Sequence, residues 1–415
     1  MSFLLKNLYR LIFYFVFEDN SANISKRIDM KSFDILVLGG GASGSICAIR
    51  AKSLNQNKSI AIIDNQNRIA KKLLVTGNGK CNITFEKMID KSYNQNIDAF
   101  LNRFSNFDLL DYFKKLGLLC FCEEGRYYPL SNSAKSVVEI IENAIDNLDI
   151  PLFLEHEICS ISKKDEKFVV ATSKEKFECN TLVYALGKSD KLLENFDFDC
   201  KKCFPSLMAL KTKENLKNLQ NIKVSNVKVT AHLDSGESDT EQGEVLFKEH
   251  GLSGVCIFNL STLFARNQVK IGSISIDLMP NYTDKSLKKL LAERKNTLNV
   301  TIKHFFDGMI IRPLHYYLLN QLKMQEDRPC FTLTNSEISN MAFIIKNLTF
   351  SVCDFYENNQ VFSGGIELDN LDGNLQSKKY DNLYIIGESL NVDGKCGGFN
   401  LQWAWTSGFI VGSKI

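Results

Sequence analysis

Long apolar runs are what this sequence has least of. The strongest, Phe3–Phe17 (FLLKNLYRLIFYFVF), is broken by Lys6 and Arg10 and falls short of the roughly 20 residues that cross a bilayer, so stable membrane insertion is not expected. No small-residue cleavage site follows it, which argues against a signal peptide. Residues 1–29 are expected to be an extension ahead of a start at Met30, or a peripheral amphipathic arm. Charge of one sign is also missing: 50 Lys and Arg stand against 48 Asp and Glu, with no basic stripe, so nucleic acid is not expected as a partner. Five scattered histidines lack metal-ligand spacing, and no metal site is expected. Twelve cysteines spread over a long chain fit reduced thiols in a cytoplasm. The one close pair, Cys200 and Cys203, has no second pair beside it and reads as incidental. Neither residues 204–278 nor residues 283–347 have the Pro- or Ser-rich composition of a flexible linker. At 44% hydrophobic and 24% charged the chain reads as globular, and 415 residues call for two or three domains.

What the sequence does hold is a strand, a glycine turn, a helix and a second strand in Phe33–Asp64. FDILVL suits a buried parallel strand, and Gly39, Gly41 and Gly44 form G-x-G-x-x-G around Ala42 and Ser43. The first glycine permits the turn, the second lets the backbone approach a pyrophosphate, and the third lets the helix pack on the strand. Asp64 ends the second strand twenty residues after Gly44, where a carboxylate accepts hydrogen bonds from an adenosine ribose. A second glycine loop, Gly77, Gly79, Lys80, Cys81 and Asn82, follows a basic helix start.

Helical spacing over residues 98–118 predicts one amphipathic helix, and CFCEEGRYYP a short hairpin with Arg126, Tyr127 and Tyr128 beside a pocket or in packing. Residues 151–187 alternate as strands and end in TLVYALG, a buried strand closing over the cofactor at Ala185 and Gly187. From Phe204 to Leu278 short strands with polar turns predict an antiparallel sheet or barrel, and residues 283–347 read as helices. The last segment returns to the sheet with NLYIIG, then Gly387 and Glu388 at the strand's C-terminal edge, a glycine loop and a helix from about Phe399 to Ile410. A helix N-terminus behind Gly397 and Gly398 offers amides and a positive dipole end to a group that becomes negative, as reduced flavin does.

GGGASG, AKKLLVTGNGKCNIT, GRYYP, LFKEHGLSG and IIGESLNVDGKCGGFNLQWAWTSG together resemble the bacterial YhiN/BaiN-like family of FAD-dependent oxidoreductases, in order over residues 33–412. The resemblance implies an α/β fold in which a Rossmann-like FAD-binding domain is split in sequence and interrupted by a β-rich, barrel-like domain and a helical insert. The expected division is an extension over 1–30, the FAD-binding domain over 31–190 and 367–415, the β-rich domain over 191–282, the insert over 283–347 and a return segment over 348–366. It further implies that Gly39–Gly44 face the pyrophosphate, Asp64 the ribose, Lys72 and Gly77–Asn82 the flavin side, and Glu388 the ribityl chain. Asp393, Gly397, Gly398, Phe399, Asn400 and Leu401 would border the ring. One departure is Val255, where the family usually has Pro after Leu-Ser-Gly, so the conformation and substrate role of that loop do not carry over.

The expected activity is FAD-dependent hydride transfer to or from a small organic substrate, with an enone-type C=C bond suggested by the resemblance. FAD is favoured over NAD because distant segments converge on one glycine turn. No second G-x-G-x-x-G follows a strand, so NADH or NADPH is expected only as a transient donor. Lys80, Cys81, Asp393 and Cys396 are the candidates for proton transfer, each read more simply as loop structure or cofactor hydrogen bonding. Cys81 and Cys396 lack a disulfide-reductase motif, so no catalytic disulfide is expected. Two rivals stand: an amine oxidase using O₂, and a flavin-bearing binding or RNA-modifying protein.

Overall fold

The computed structural model describes residues 30–87, 92–188, 191–193, 196–356 and 361–415, so the expectation for residues 1–29 lies outside the described residues. Its framework is a seven-stranded sheet centred on Lys31–Leu38, with Ile60–Ile63 and then Leu152–Phe153 parallel on one side and Lys176–Tyr184 parallel on the other. The apolar second half of Lys31–Leu38 is buried throughout, as a strand covered on both faces must be. Lys176–Tyr184 has two partners along its far edge. Phe168–Ala171 lies antiparallel to its first half, and Leu383–Ile385 runs parallel to Leu182–Tyr184. The last segment of the chain thereby reaches the same sheet end as the glycine turn.

Helix Ala42–Leu54 is buried on nearly every side because helix Phe399–Lys414 lies across it. Small residues permit that approach. A Cβ on Gly412 would meet the Cys47 carbonyl oxygen at 2.5 Å, and one on Gly408 would meet that of Ser43 still more closely. Trp403 and Trp405 are both buried, and each indole N–H is satisfied, by the Gly387 and Ile83 carbonyls at 3.1 and 3.2 Å.

The second core is a closed six-stranded barrel built from Leu210–Thr212, Gly251–Ser253, Ser238–Lys248, Lys223–His232, Gly272–Asp277 and Leu348–Phe355, in that spatial order. Val227, Val229 and Ala231 alternate inward, with Val245, Phe247, Ile274, Ile276, Phe350 and Val352 facing them. Helices Asp284–Thr297, Arg312–Gln321 and Asn335–Lys346 leave and re-enter on neighbouring strands, since Ile276 pairs with Leu348. Cys200–Ser206 and Val361–Ile366 pair antiparallel and form the neck between the two cores. The split Rossmann-like class with barrel and helical insert is thus the fold of the chain. For the domain division we propose the boundaries expected above; two separate apolar clusters support a sheet body and a barrel body, with Leu193 and Phe196 packed in the first and the helical insert sharing the second.

Three local readings need correction. The helix expected over 98–118 is two, Asp98–Leu101 and Asn106–Lys115, because Ser105 accepts the Asp108 amide and begins a capping box. The basic helix start after Asp64 is a series of 3₁₀ turns over Lys71–Gly79, broken by positive φ at Gly77 and Asn78. The β-rich stretch contains a helix, Val255–Asn267, so thoroughly buried that no polar face marks it in sequence. Val255 is its first residue, a position that Pro suits but does not require, because the amide there has no intrahelical partner.

Candidate functional site

The three glycines of the first turn are distinguishable by what surrounds them. Gly39 has φ +99°, which only glycine adopts without strain. A Cβ on Gly44 would fall 1.9 Å from the Gly39 carbonyl oxygen, so the helix cannot sit against the turn with any side chain there. Around Gly41 the added atom meets nothing within 4 Å, and the turn faces open space. Asp64 is tied to the turn itself: Oδ2 accepts the Gly40 amide at 2.7 Å and Oδ1 accepts the Gln66 amide at 2.8 Å. A cleft of about 580 Å³ follows, lined by Asn65, Gln66, Asn67, Lys71, Glu155, Glu157 and Ser173. The sequence reading missed the Glu155–Glu157 wall. Its signal was LEHE directly after Leu152–Phe153, at the same sheet end as Asp64.

Segments more than three hundred residues apart meet at the second cluster. Lys72 donates to Glu388 Oε2 at 2.8 Å, and Glu388 Oε1 accepts the Phe362 amide at 3.1 Å. A Cβ on Gly187 would lie 3.5 Å from the same carboxylate, and one on Gly387 would collide with Ser43 Oγ. Ser43, Lys72, Gly187, Gly387 and Glu388 are therefore neighbours, and Ala185 packs its backbone against Gly39.

The third cluster joins the KCN loop to the C-terminal helix. Thr84 donates to Gln402 Oε1 at 2.6 Å, and a Cβ on Gly398 would lie 2.9 Å from Asn82 Oδ1. Gly77 and Gly79 both have positive φ, and a Cβ on Gly77 would press on the Asn82 amide. Helix Phe399–Lys414 opens at Gly398 without a side-chain cap. The individual side chains divide in what they offer. The Phe399 ring is stacked on Phe85 with centroids 5.2 Å apart, and its carbonyl accepts the Tyr93 hydroxyl at 2.8 Å. Asn400 locks the loop by bonding both the amide and the carbonyl of Gly394, and Leu401 packs against the sheet core. Cys81 is fully buried, and burial pushes its thiol up to about 12, so it offers no thiolate. Cys396 is half-buried, its thiol raised by burial against the opposing pull of Arg126. Lys80 Nζ stands 5.8 Å from the Tyr128 ring centre. Asp393 is 3% exposed, with Oδ2 accepting from Arg266 at 2.8 Å and from Ser363 at 3.0 Å. Arg266, Phe362 and Ser363 carried no sequence signal, because each reaches the site from the neck or from the unanticipated helix.

A family model described as the HI0933-like protein Rossmann domain matches residues 33–414. The chain belongs to the HI0933-like family. Among relatives of this HI0933-like protein, the 3-dehydro-bile acid delta(4,6)-reductase of Clostridium scindens is 27% identical over 398 residues, 91% of this chain and 97% of that one. The ribosomal RNA dihydrouridine synthase of Haemophilus influenzae is 25% identical over 414 residues, 92% of this chain and 98% of its own length. A solved structure of 3-ketosteroid delta1-dehydrogenase from Sterolibacterium denitrificans, in complex with 1,4-androstadiene-3,17-dione, aligns with TM-score 0.47 at 11% identity, over 93% of this chain and 99% of that one.

The HI0933-like chain is an FAD-dependent oxidoreductase, and the local chemistry fits that cofactor. Asn82 Oδ1 and Asp393 Oδ1 are buried acceptors with no partner among the described residues. An acceptor stranded in this way costs about 1–3 kcal/mol, so both suit a bound group that carries N–H and O–H donors. The open space over Gly41 and the uncapped amides behind Gly398 suit its anionic parts. Among the described residues no group of three or more His, Cys, Asp or Glu could hold a metal ion, and no helix is long and apolar enough to cross a membrane.

Proposed function

We propose that the chain reduces a carbon–carbon double bond conjugated to a carbonyl, in the cytoplasm, with NADH or NADPH as transient donor. The observation that carries this reading is that both activities named for the full-length relatives are additions of hydrogen to such a bond: a 3-oxo steroid diene in one, the uracil ring in the other. Bound FAD supplies the two-electron couple. In this reading Gly39, Gly41, Ala42, Ser43 and Gly44 bind the pyrophosphate at the helix N-terminus, and Asp64 orients the ribose while bracing the turn. Lys72 and Glu388 hold the ribityl side, with Gly187 and Gly387 keeping the backbone close. Asn82 and Asp393 accept hydrogen bonds, and the amides of Phe399, Asn400 and Leu401 favour negative charge. Lys80 and Arg126, beside Tyr128, supply positive charge for an oxygen that becomes anionic in the substrate.

The H. influenzae relative favours a second reading of the same chemistry, on a uridine in ribosomal RNA. One experiment separates the readings. The purified protein is titrated anaerobically with NADH and NADPH, then offered a 3-oxo-4,6-diene steroid or unmodified ribosomal RNA, and loss of the double bond is followed by mass. A protein that cannot be reconstituted with FAD overturns the assignment of the cofactor site. Peroxide formed with an amine substrate moves it to the oxidases, and reduction of RNA alone selects the second reading.

A further inference from the structure

The loop that precedes the C-terminal helix belongs to the sheet domain in sequence, but the barrel domain holds much of it. Arg266, on helix Val255–Asn267, donates to Asp393 at 2.8 Å. Asn259 on the same helix accepts the Cys396 amide at 2.8 Å. Glu241, on barrel strand Ser238–Lys248, pairs with Lys395 at 2.8 Å and accepts from Asn259 at 3.3 Å, which closes the chain of contacts. From the opposite side the sheet domain supplies Asn94, whose Oδ1 accepts the Asp393 amide at 3.0 Å, and the Ser92 carbonyl, which accepts the Lys395 amide at 2.8 Å.

Asp393 is the buried member of this set, and Arg266 is its counter-charge. Asp393 stands at one end of the loop whose other end, Gly398, abuts Asn82. We propose that Arg266 is a positioning residue for the flavin-side loop, and that by cancelling the Asp393 charge it sets the balance between reduced and oxidised cofactor. The inference rests on the FAD site proposed above. Reduction places negative charge on the cofactor. A bare carboxylate buried beside it would oppose that charge, whereas a carboxylate neutralised by Arg266 does not. The barrel domain thus acts on the redox site with one cation, through a residue of the sheet domain.

The test uses the full chain reconstituted with FAD, with midpoint potential and the rate of FAD release as readouts. Arg266→Gln is expected to lower the reduced-over-oxidised binding ratio at least tenfold, a shift of about 30 mV to more negative potential for a two-electron couple. Combining it with Asp393→Asn removes the stranded charge and is expected to restore most of the shift. Arg266→Lys keeps the sign and is expected to stay near wild type. Asn259→Ala, which changes no charge, is expected to speed FAD release and leave the potential alone. If Arg266→Gln does not fold, the Lys and Asn259 variants carry the test: a large shift in Arg266→Lys, or unchanged FAD release in Asn259→Ala, refutes it. Wild-type potential in Arg266→Gln, or a double variant as shifted as the single, overturns this inference alone. Failure of the wild type to take up FAD overturns the site reading beneath it.

Discussion

Alanine at Gly41 and alanine at Gly44 are expected to separate cofactor binding from folding, although the positions are three residues apart. At Gly41 the backbone φ is −73° and the added methyl meets nothing within 4 Å, so the chain accepts it without strain. The methyl occupies the space assigned above to the pyrophosphate. A hydrogen bond to a charged group is worth about 1.5–3 kcal/mol, so displacing one amide from the phosphate weakens FAD binding roughly 10- to 100-fold. Melting of the FAD-free protein is expected to stay within about 0.5 kcal/mol of wild type. At Gly44 the same methyl falls 1.9 Å from the Gly39 carbonyl oxygen. That carbonyl cannot retreat easily, because the Gly39 amide is bonded to Ile63 at 2.7 Å and the residue backs onto Ala185. Helix propensity returns about 1 kcal/mol for Ala over Gly, while overpacking costs about 1–3 kcal/mol and more against fixed backbone. A net loss of about 2 kcal/mol is expected, visible before any cofactor is added. Fluorescence titration with FAD and thermal melts of FAD-stripped protein measure the two effects. Equal melting of the two stripped variants refutes the packing argument, and wild-type FAD affinity in Gly41→Ala refutes the pyrophosphate assignment.

The Lys72–Glu388 pair is partly exposed, 48% and 27%, so Lys72→Met is expected to change stability by less than about 1 kcal/mol yet to weaken FAD binding about tenfold. A stability loss with affinity intact would make the pair structural. Burial raises the thiol of Cys81 to about 12 and that of Cys179 likewise. A folded pKa above the unfolded value of about 8.5 gives stability that is complete below pH 8.5 and lost as pH rises towards 12, by about 1.4 kcal/mol per unit and per thiol. Melting temperature followed from pH 8 to 11 is expected to fall less steeply in Cys81→Ala than in wild type, and parallel curves would disprove the linkage.

The parts of this molecule legible in sequence are those that backbone makes locally. Gly39, Gly41 and Gly44 announce themselves because the turn, the open approach and the close packing all arise within one strand, turn and helix. Leu383–Ile385 and Lys176–Tyr184 were readable as buried strands for the same reason, and their convergence followed from the rules of parallel sheets. The split at Ser105 was masked because apolar spacing continued across it, although the Ser105 to Asp108 cap was present in the letters. Helix Val255–Asn267 was masked differently, since burial of nearly all of it ahead of Arg266 removes the polar face by which a helix is recognised. That omission propagates directly into the site. Arg266 lies on this helix, 127 residues before the carboxylate it neutralises, and its charge has no local partner to predict. Asp393 consequently reads in sequence as a flavin-side loop residue and a candidate for proton transfer, with no ion-pair partner in view. In three dimensions it is a buried charge whose compensation comes from the other domain, and such a pairing has no local signature because neither residue constrains the backbone of its own segment.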